Sequence, residues 1–454
     1  MITIPGIWRP LGAVAALSLI LAAACPAAEP DARIAAALQD ISSTRIRAYI
    51  AALVGFGTRS TLSAQDPAAI GAGRGIGAAR EWLKAQFEQY SQDCGGCLDV
   101  RIDAYTQPPG ERVAQPTVIS NVYAVLKGSE PGTTPRILLV TGHYDSRNSD
   151  NYDVTHDAPG ANDDASGVAV SLECARVLSK LKFPGTIIFL AVAGEEQGLY
   201  GSAHFARTAR AQKWNIEAVL NDDIVGGNRS AEQDAHVVRV FSEGLPGALD
   251  DKQLQSLRAV GGENDSPSRE LARYVAETAE QYGAAIRPLL VFRTDRFLRG
   301  GDHTSFNEQG YAAVRFTEYR EDYTRQHQTV RTENGIEYGD LLRHVDVDYV
   351  AAVARLNAAT LASLAAAPAP PSRVAILTAK LENESTLEWT SAPGASGYEV
   401  LWRATSSPVW EHAQNVGAGT RVTLPLSKDN VIFAVRAVDA QGHRSLPVVP
   451  EPRG

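Results

Sequence analysis

The chain has 454 residues, of which 44% are hydrophobic and 21% charged, the balance of a soluble globular protein too long for one ordinary core. Its formal net charge is −9 and no run of Lys and Arg interrupts it, so the basic footprint that nucleic-acid binding needs is missing. Two or three domains are expected.

The first 28 residues read as a secretory signal peptide. Arg9 is the positive flank, residues 11–24 are an uncharged apolar run, and small residues lead to a cleavage site near Ala28. Cys25 follows Leu21-Ala22-Ala23-Ala24, a poor acylation signal because the leucine stands one place too early. A secreted or periplasmic soluble protein is therefore favoured, with lipid anchoring through Cys25 as the alternative, and no stable membrane insertion is expected after cleavage. Cys94-Gly95-Gly96-Cys97 has no second Cys or His pair to complete a zinc knuckle, so a local disulfide is expected in an oxidising compartment. Cys174 interrupts nothing in an apolar helical pattern and is expected as a buried free thiol.

Residues 29–60 are Ala-rich and helical in pattern. The glycine-rich stretch 71–77 has neither the preceding strand nor the Gly-Lys-Ser/Thr ending of a phosphate loop, and predicts the start of a helix that ends near the Cys94–Cys97 turn. Strands are expected at 118–126, 136–141, 186–193, 218–221, 237–241 and 312–316, and helices at 167–181, 201–212, 268–282 and 347–366. The uninterrupted apolar run 186–193 suits a strand covered on both faces. Strands alternating with helices predict an α/β domain over 29–366, with a mixed, largely parallel central sheet sandwiched by helices. Pro368-Ala369-Pro370-Pro371 then breaks the pattern, and 367–372 is expected as a semi-rigid linker. Over 373–454 short β-type runs recur without a convincing helix, which predicts a small all-β sandwich.

Chemistry concentrates where strands leave the core. Gly142-His143-Tyr144-Asp145 follows one strand, Glu195-Glu196 another, and Asp222-Asp223 a third, the position at which open α/β sheets bind ligands. Asp163-Asp164 stands between glycines ahead of an apolar helical run. Such a pair can simply cap a helix, but with the other acids and histidines it predicts a metal centre in which Asp163 bridges two ions. The His143-x-Asp145 spacing lets a carboxylate polarise a ligating imidazole. Two neighbouring anions beside an apolar strand are costly to desolvate unless a dication compensates them. Imidazole and carboxylate without thiolate suit zinc, with cobalt or manganese as the other options. Two ions about 3.5–4 Å apart need one shared carboxylate. Glu195, beside the water these ions acidify, is expected to take its proton and deliver it to the leaving amine.

Taken together, GHYDS, GANDDASG, AGEEQGLYGS, DDIVGG and GGDHTSF make residues 30–366 resemble the co-catalytic zinc aminopeptidases, the family of the bacterial leucyl and broad-specificity secreted aminopeptidases. The resemblance implies a zinc exopeptidase fold, two Zn2+ per chain and peptide substrates with a free N-terminus. It implies His143 and Asp223 as ligands of one ion, Asp163 as the bridge with a cis peptide to Asp164, Glu196 and His327 as ligands of the other, and Glu195 as the general base; Asp145, through the imidazole of His143, is the second catalytic candidate. His303 is the alternative to His327, while His156, His204 and His344 are expected as exposed or packing residues. Gln326 stands where some relatives carry a tyrosine that stabilises the tetrahedral intermediate, which leaves Tyr319, Arg320 and Tyr323 as candidates for that role. The tail, from Trp389 through Trp402 to Gly442, resembles a fibronectin type III module. The rival readings are a glutaminyl cyclase-like enzyme with a single zinc and a catalytically silent binding protein on the same fold.

Overall fold

The computed structural model describes residues 29–132, 134–247 and 249–454. The expected signal peptide, its cleavage site and Cys25 lie outside them. Helices α1 (Ala32–Gln39) and α2 (Ser43–Gly55) begin at Asp31 and Ser42, whose side chains accept the free N–H groups of Arg33 and Arg45. After α3 (Pro67–Gly71), helix α4 (Gly75–Asp93) buries Leu83, Phe87 and Tyr90 and ends at the Cys94–Cys97 disulfide. The chain continues through β1 (Leu98–Gln107), β2 (Thr117–Leu126), β3 (Arg136–His143), α5 (Ala165–Leu178), β4 (Thr186–Val192), α6 (Tyr200–Ala211) and β5 (Asn215–Asp222). It goes on through β6 (Val237–Ser242), α7 (Asp251–Ala259), α8 (Pro267–Gln281), β7 (Arg287–Val291), α9 (Asp302–Asn307), β8 (Ala313–Glu318), the hairpin of β9 (Arg331–Glu333) and β10 (Ile336–Tyr338), and α10 (Val347–Ala366).

The eight-stranded sheet has the order β1-β2-β4-β3-β5-β8-β6-β7. Its centre is parallel (β4/β3, β3/β5, β5/β8), as is β6/β7, and the remaining neighbours are antiparallel. This is the mixed, mostly parallel sheet that the alternation of elements predicts. Successive side chains divide between its two faces. Leu138, Val140, Ile187, Phe189 and Ala191 join the core under α2, α5 and α10, whereas Leu139, Ile188, Leu190 and Val192 meet Phe205, Ala209 and Phe306 of α6 and α9. Helix α5 crosses the strand ends so closely that a Cβ on Gly167 would lie 2.1 Å from the Asp222 carbonyl oxygen, and one on Gly142 2.6 Å from the Gly167 carbonyl carbon. Glycine at both positions lets the helix start directly above β3 and β5.

The tail forms two packed sheets. Strands β11 (Ser372–Leu377), β12 (Ser385–Thr390), β15 (Arg421–Leu424) and β17 (Glu451–Arg453) make one, in the order β15-β12-β11-β17; β13 (Gly397–Ala404), β14 (His412–Asn415) and β16 (Val431–Val438) make the other, in the order β14-β13-β16. Leu387, Trp389, Tyr398, Val400, Trp402 and Phe433 fill the space between them, an arrangement that resembles a sandwich.

Ala367, Pro368 and Pro371 are buried, and Arg136 Nη2 donates to the Ala367 carbonyl at 2.6 Å. The tail docks on α8 through residues one helical turn apart. Glu270 accepts from Trp410 Nε1 at 2.8 Å, Arg273 Nε donates to the Pro408 carbonyl at 2.7 Å, Tyr274 Oη donates to the Arg444 carbonyl at 3.0 Å, and Glu277 pairs with Arg436 at 2.8 Å. Arg403 pairs with Asp265 just ahead of the helix, both side chains being 2% exposed. Removing Arg403 leaves buried Asp265 with only its longer pairing to Arg273 at 3.4 Å, so Arg403→Met is expected to destabilise the protein by about 1–3 kcal/mol. Calorimetry reads this as a lowered thermal midpoint, and an unchanged midpoint would mean that docking does not depend on the pair.

Candidate metal centre

Strands β4, β3 and β5 are neighbours and point the same way, so their C-terminal ends place Glu195, His143 and Asp223 side by side. The start of α5 adds Asp163 and Asp164 above them. His143 Nε2 lies 3.0 Å from Asp163 Oδ1 and 3.8 Å from Asp223 Oδ1. On the outer side, His327 Nε2 lies 2.8 Å from Asp163 Oδ2 and 3.2 Å from Glu196 Oε2. Two clusters result, His143–Glu195–Asp223 and Asp163–Glu196–His327, each with its donor atoms within 4.8 Å of one another. Asp163 meets an imidazole of each cluster.

The paired acids divide their work. The Asp163–Asp164 peptide is cis, and Asp164 turns away from the centre. It accepts from His143 N at 3.0 Å, Gly167 N at 2.8 Å and Ile224 N at 3.3 Å, and so ties β3, α5 and β5 together while capping the helix. Asp222 likewise points into the core, where it accepts from Asn357 Nδ2 at 3.0 Å, and Asp223 faces the cluster with Arg315 Nη2 2.9 Å from its Oδ1. Asp145 is fully buried and accepts from Thr61 Oγ1 at 2.9 Å and from the N–H groups of Glu195 and Glu196 at 3.4 and 3.2 Å. It thereby fixes the turn that carries both glutamates, and its carbonyl lies 3.1 Å from His143 Nδ1.

Electrostatics favour a cation here. Burial opposes ionisation of Asp163, but the imidazoles of His327 and His143 outweigh it and hold this carboxyl well below the usual range. Burial raises Glu195 well above it, against the influence of His143 and reinforced by Asp223, Glu196 and Asp302. Glu196 Oε1 is buried with no hydrogen-bond partner. Four carboxylates around two imidazoles, one oxygen orphaned and no thiolate, fit a binuclear zinc site.

For His327, burial is outweighed by Glu196 and Asp163, which raise the imidazole to about 10; burial is likewise outweighed at His143, by Asp145, Asp163 and Asp223. A ligating imidazole must give up its proton, so zinc and protons compete. Apparent zinc affinity, measured against a competing chelator, is expected to tighten about tenfold per pH unit for each proton displaced between about pH 6.5 and 8. In metal-free protein the sign reverses. The raised His327 stabilises the fold fully below the ordinary imidazole range, and that contribution fades as pH climbs through about 10. A zinc affinity independent of pH would remove the imidazoles from the donor set.

The remaining sequence candidates lie elsewhere. His303 is buried with Nε2 2.8 Å from the Thr294 carbonyl and joins neither cluster. His156 is exposed beside Asp153, His204 stacks on Tyr105, and His344 pairs with Glu337. Tyr319 and Tyr323 are 42% and 65% exposed, Arg320 is paired with Glu232, and Gln326 Nε2 donates to Asp163 Oδ2 at 3.1 Å. Sequence reasoning missed Asp340, which accepts from the N–H groups of Asn162 and Asp163 at 2.9 and 2.7 Å, and Arg315. Arg315 carried a usable signal, a charge in the middle of the apolar run 312–316.

The sequence profile of Peptidase family M28 matches residues 121–352. A probable zinc metalloprotease of the fungus Pyricularia oryzae is 48% identical over 93% of this chain and 85% of its own length. Another, from Leptosphaeria maculans, is 45% identical over 93% of this chain and 98% of its own. The crystal structure of LapB from Legionella pneumophila has a TM-score of 0.51 at 20% identity, covering 74% of this chain and 75% of that one, and shares the fold.

Proposed function

Because the chain belongs to peptidase family M28, we propose that this hydrolase is an exported metallo-aminopeptidase that removes N-terminal residues from peptides. His143, Asp163 and Asp223 would hold one zinc ion, and Asp163, Glu196 and His327 the other. When bound, the two ions supply Lewis acidity, acidifying a water and polarising the scissile carbonyl. Glu195 accepts a proton from that water as its oxygen adds to the carbonyl carbon, then passes it to the amine nitrogen as the C–N bond breaks. Asp145 orients Glu195 through its backbone N–H and polarises His143 from behind. The observation that carries this reading is the position of Asp163, 3.0 Å from His143 Nε2 on one side and 2.8 Å from His327 Nε2 on the other.

The proposed organisation is a signal peptide over 1–28, a catalytic domain over 29–366, a linker over 367–372 and a fibronectin type III-like module over 373–454. The pairing of β12 with both β11 and β15, and of β13 with both β14 and β16, supports the last assignment. A panel of aminoacyl-nitroanilides, assayed with purified protein before and after chelation and zinc restoration, tests the activity. Mass spectrometry of a Gln-initiated peptide separates it from a cyclase: loss of a residue supports the peptidase, and loss of ammonia refutes it.

A further inference from the structure

We propose that Arg59 is a positioning residue for the bridging carboxylate: with Asp340 it fixes the backbone of residues 159–163, so that the two oxygens of Asp163 stay turned toward the two ions. This role rests on the two-zinc reading of the centre. Arg59 is fully buried, and its side chain reaches four backbone carbonyls. Nε donates to Tyr144 at 2.7 Å, Nη1 to Leu53 and Pro159 at 3.0 and 2.6 Å, and Nη2 to Gly160 at 2.8 Å. These carbonyls belong to three parts of the chain: the last turns of α2, the step beyond β3, and the loop that leads into Asp163. The rest of that loop is held through its N–H groups. Ala161 N donates to the Asp340 backbone carbonyl at 3.2 Å, and Asn162 N and Asp163 N donate to its carboxylate at 2.9 and 2.7 Å. From Pro159 to Asp163, every residue therefore gives one backbone group to Arg59 or to Asp340.

Desolvating a guanidinium is costly, and an apolar side chain would fill the same space without that penalty. What an apolar side chain cannot do is hold carbonyls from three parts of the chain at set separations, for which the planar fork of arginine is suited. Tyr144 directly follows His143, so one guanidinium ties the strand end that presents His143 to the loop that presents Asp163. The 3.0 Å between His143 Nε2 and Asp163 Oδ1 is the separation it governs, and Oδ2 is left facing His327. Arg59 is itself pinned. Its N–H donates to Ser146 Oγ at 3.2 Å, and that hydroxyl donates to the Ala158 carbonyl at 2.7 Å, just ahead of the loop. Gly160 allows the close approach: at its φ of 50°, a Cβ would lie 2.8 Å from Arg59 Nη2 and 2.5 Å from the Asp163 carbonyl oxygen. The clamp acts on backbone alone, and leaves the carboxylate of Asp163 to the clusters.

Arg59→Lys and Asp340→Asn test the assignment, each read by calorimetric zinc titration and by melting of metal-free and zinc-loaded protein. Lysine keeps the charge but gathers its donors at one point, which cannot span the four carbonyls. Asparagine keeps the shape but sets an amide donor against Asn162 N, which lies 2.9 Å from both oxygens of Asp340. Groups that support a metal site without ligating change its affinity by about 10–100-fold, and because this loop carries the bridge, both ions should weaken together by about that factor. Zinc raises the midpoint of a protein by binding its folded state, so the gap between metal-free and zinc-loaded midpoints should narrow in the variants. A merely structural residue would lower both midpoints alike and leave zinc affinity unchanged, and that result would overturn the proposal. So would the weakening of one ion alone, or the failure of both variants to fold, which would make the pair a folding element; where only one folds, its titration decides. Wild-type protein that takes up fewer than two zinc ions would remove the two-zinc reading and the proposal together. Two ions in wild type, held as tightly by the variants, would remove the proposal alone.

Discussion

Glu195→Gln is expected to lower kcat on aminoacyl-nitroanilides by about 10³-fold, within the 10²–10⁴ range of general base catalysis, while both zinc ions stay bound. Glutamine keeps the shape of the side chain and the turn whose N–H groups Asp145 accepts, so the proposed ligands Glu196 and His143 are not displaced. What it loses is the ability to take a proton. Burial, with Asp223, Glu196 and Asp302 adding to it and His143 opposing it, raises the Glu195 carboxyl well above its usual range. A carboxyl raised in this way is a stronger base toward an acidified water than a free glutamate. Steady-state kinetics alongside metal analysis decides the matter. A variant with normal turnover would end the assignment of Glu195 as base, and one that has lost zinc would make it a ligand of the first cluster, where its oxygen also lies within reach of His143 and Asp223.

Asp163→Ala is expected to abolish measurable turnover and to leave less than one tightly bound zinc ion per chain. Asp163 is the carboxylate that contacts an imidazole of each cluster, with Oδ1 toward His143 and Oδ2 toward His327. Its removal takes an anion from both sites at once, and outer-lying support groups alone already change metal affinity by about 10–100-fold. Because a ligand that binds only the folded state raises its stability, zinc should lift the thermal midpoint of wild-type protein and have little effect on the variant. Two ions retained by Asp163→Ala would show that the clusters are independent rather than bridged.

Most of the central sheet and of the tail sandwich was legible because the strands are apolar runs broken by glycine and proline, although β7, β14 and β17 were not foreseen. Strand β1 was not: Asp99, Arg101 and Asp103 line one face of an edge strand, and its alternation lacks the continuous apolar signal of β3 and β4. The acids at strand ends could be found locally, since Asp163, Glu195 and Asp223 stand where hydrophobic runs stop. Support from a distance could not. Asp340, which holds the Asp163 N–H, lies 177 residues further along in a segment without periodicity. His327 sits in an irregular loop with φ of 56°, and only the family resemblance singled it out over His303. Nor could composition announce that Pro368 and Pro371 are buried, or that Arg136 reaches back to the Leu364 carbonyl at the end of α10 and the Ala367 carbonyl just after it.

Helix α8 belongs to both halves of the molecule. Its Leu271 and Val275 fill the core beneath the catalytic sheet, while Glu270, Arg273, Tyr274 and Glu277 grip the tail. A foreign tail would have to bring matching partners for one row of side chains, or leave buried Glu270 and Arg273 without theirs. A substitution on either side of that seam is therefore felt by both halves.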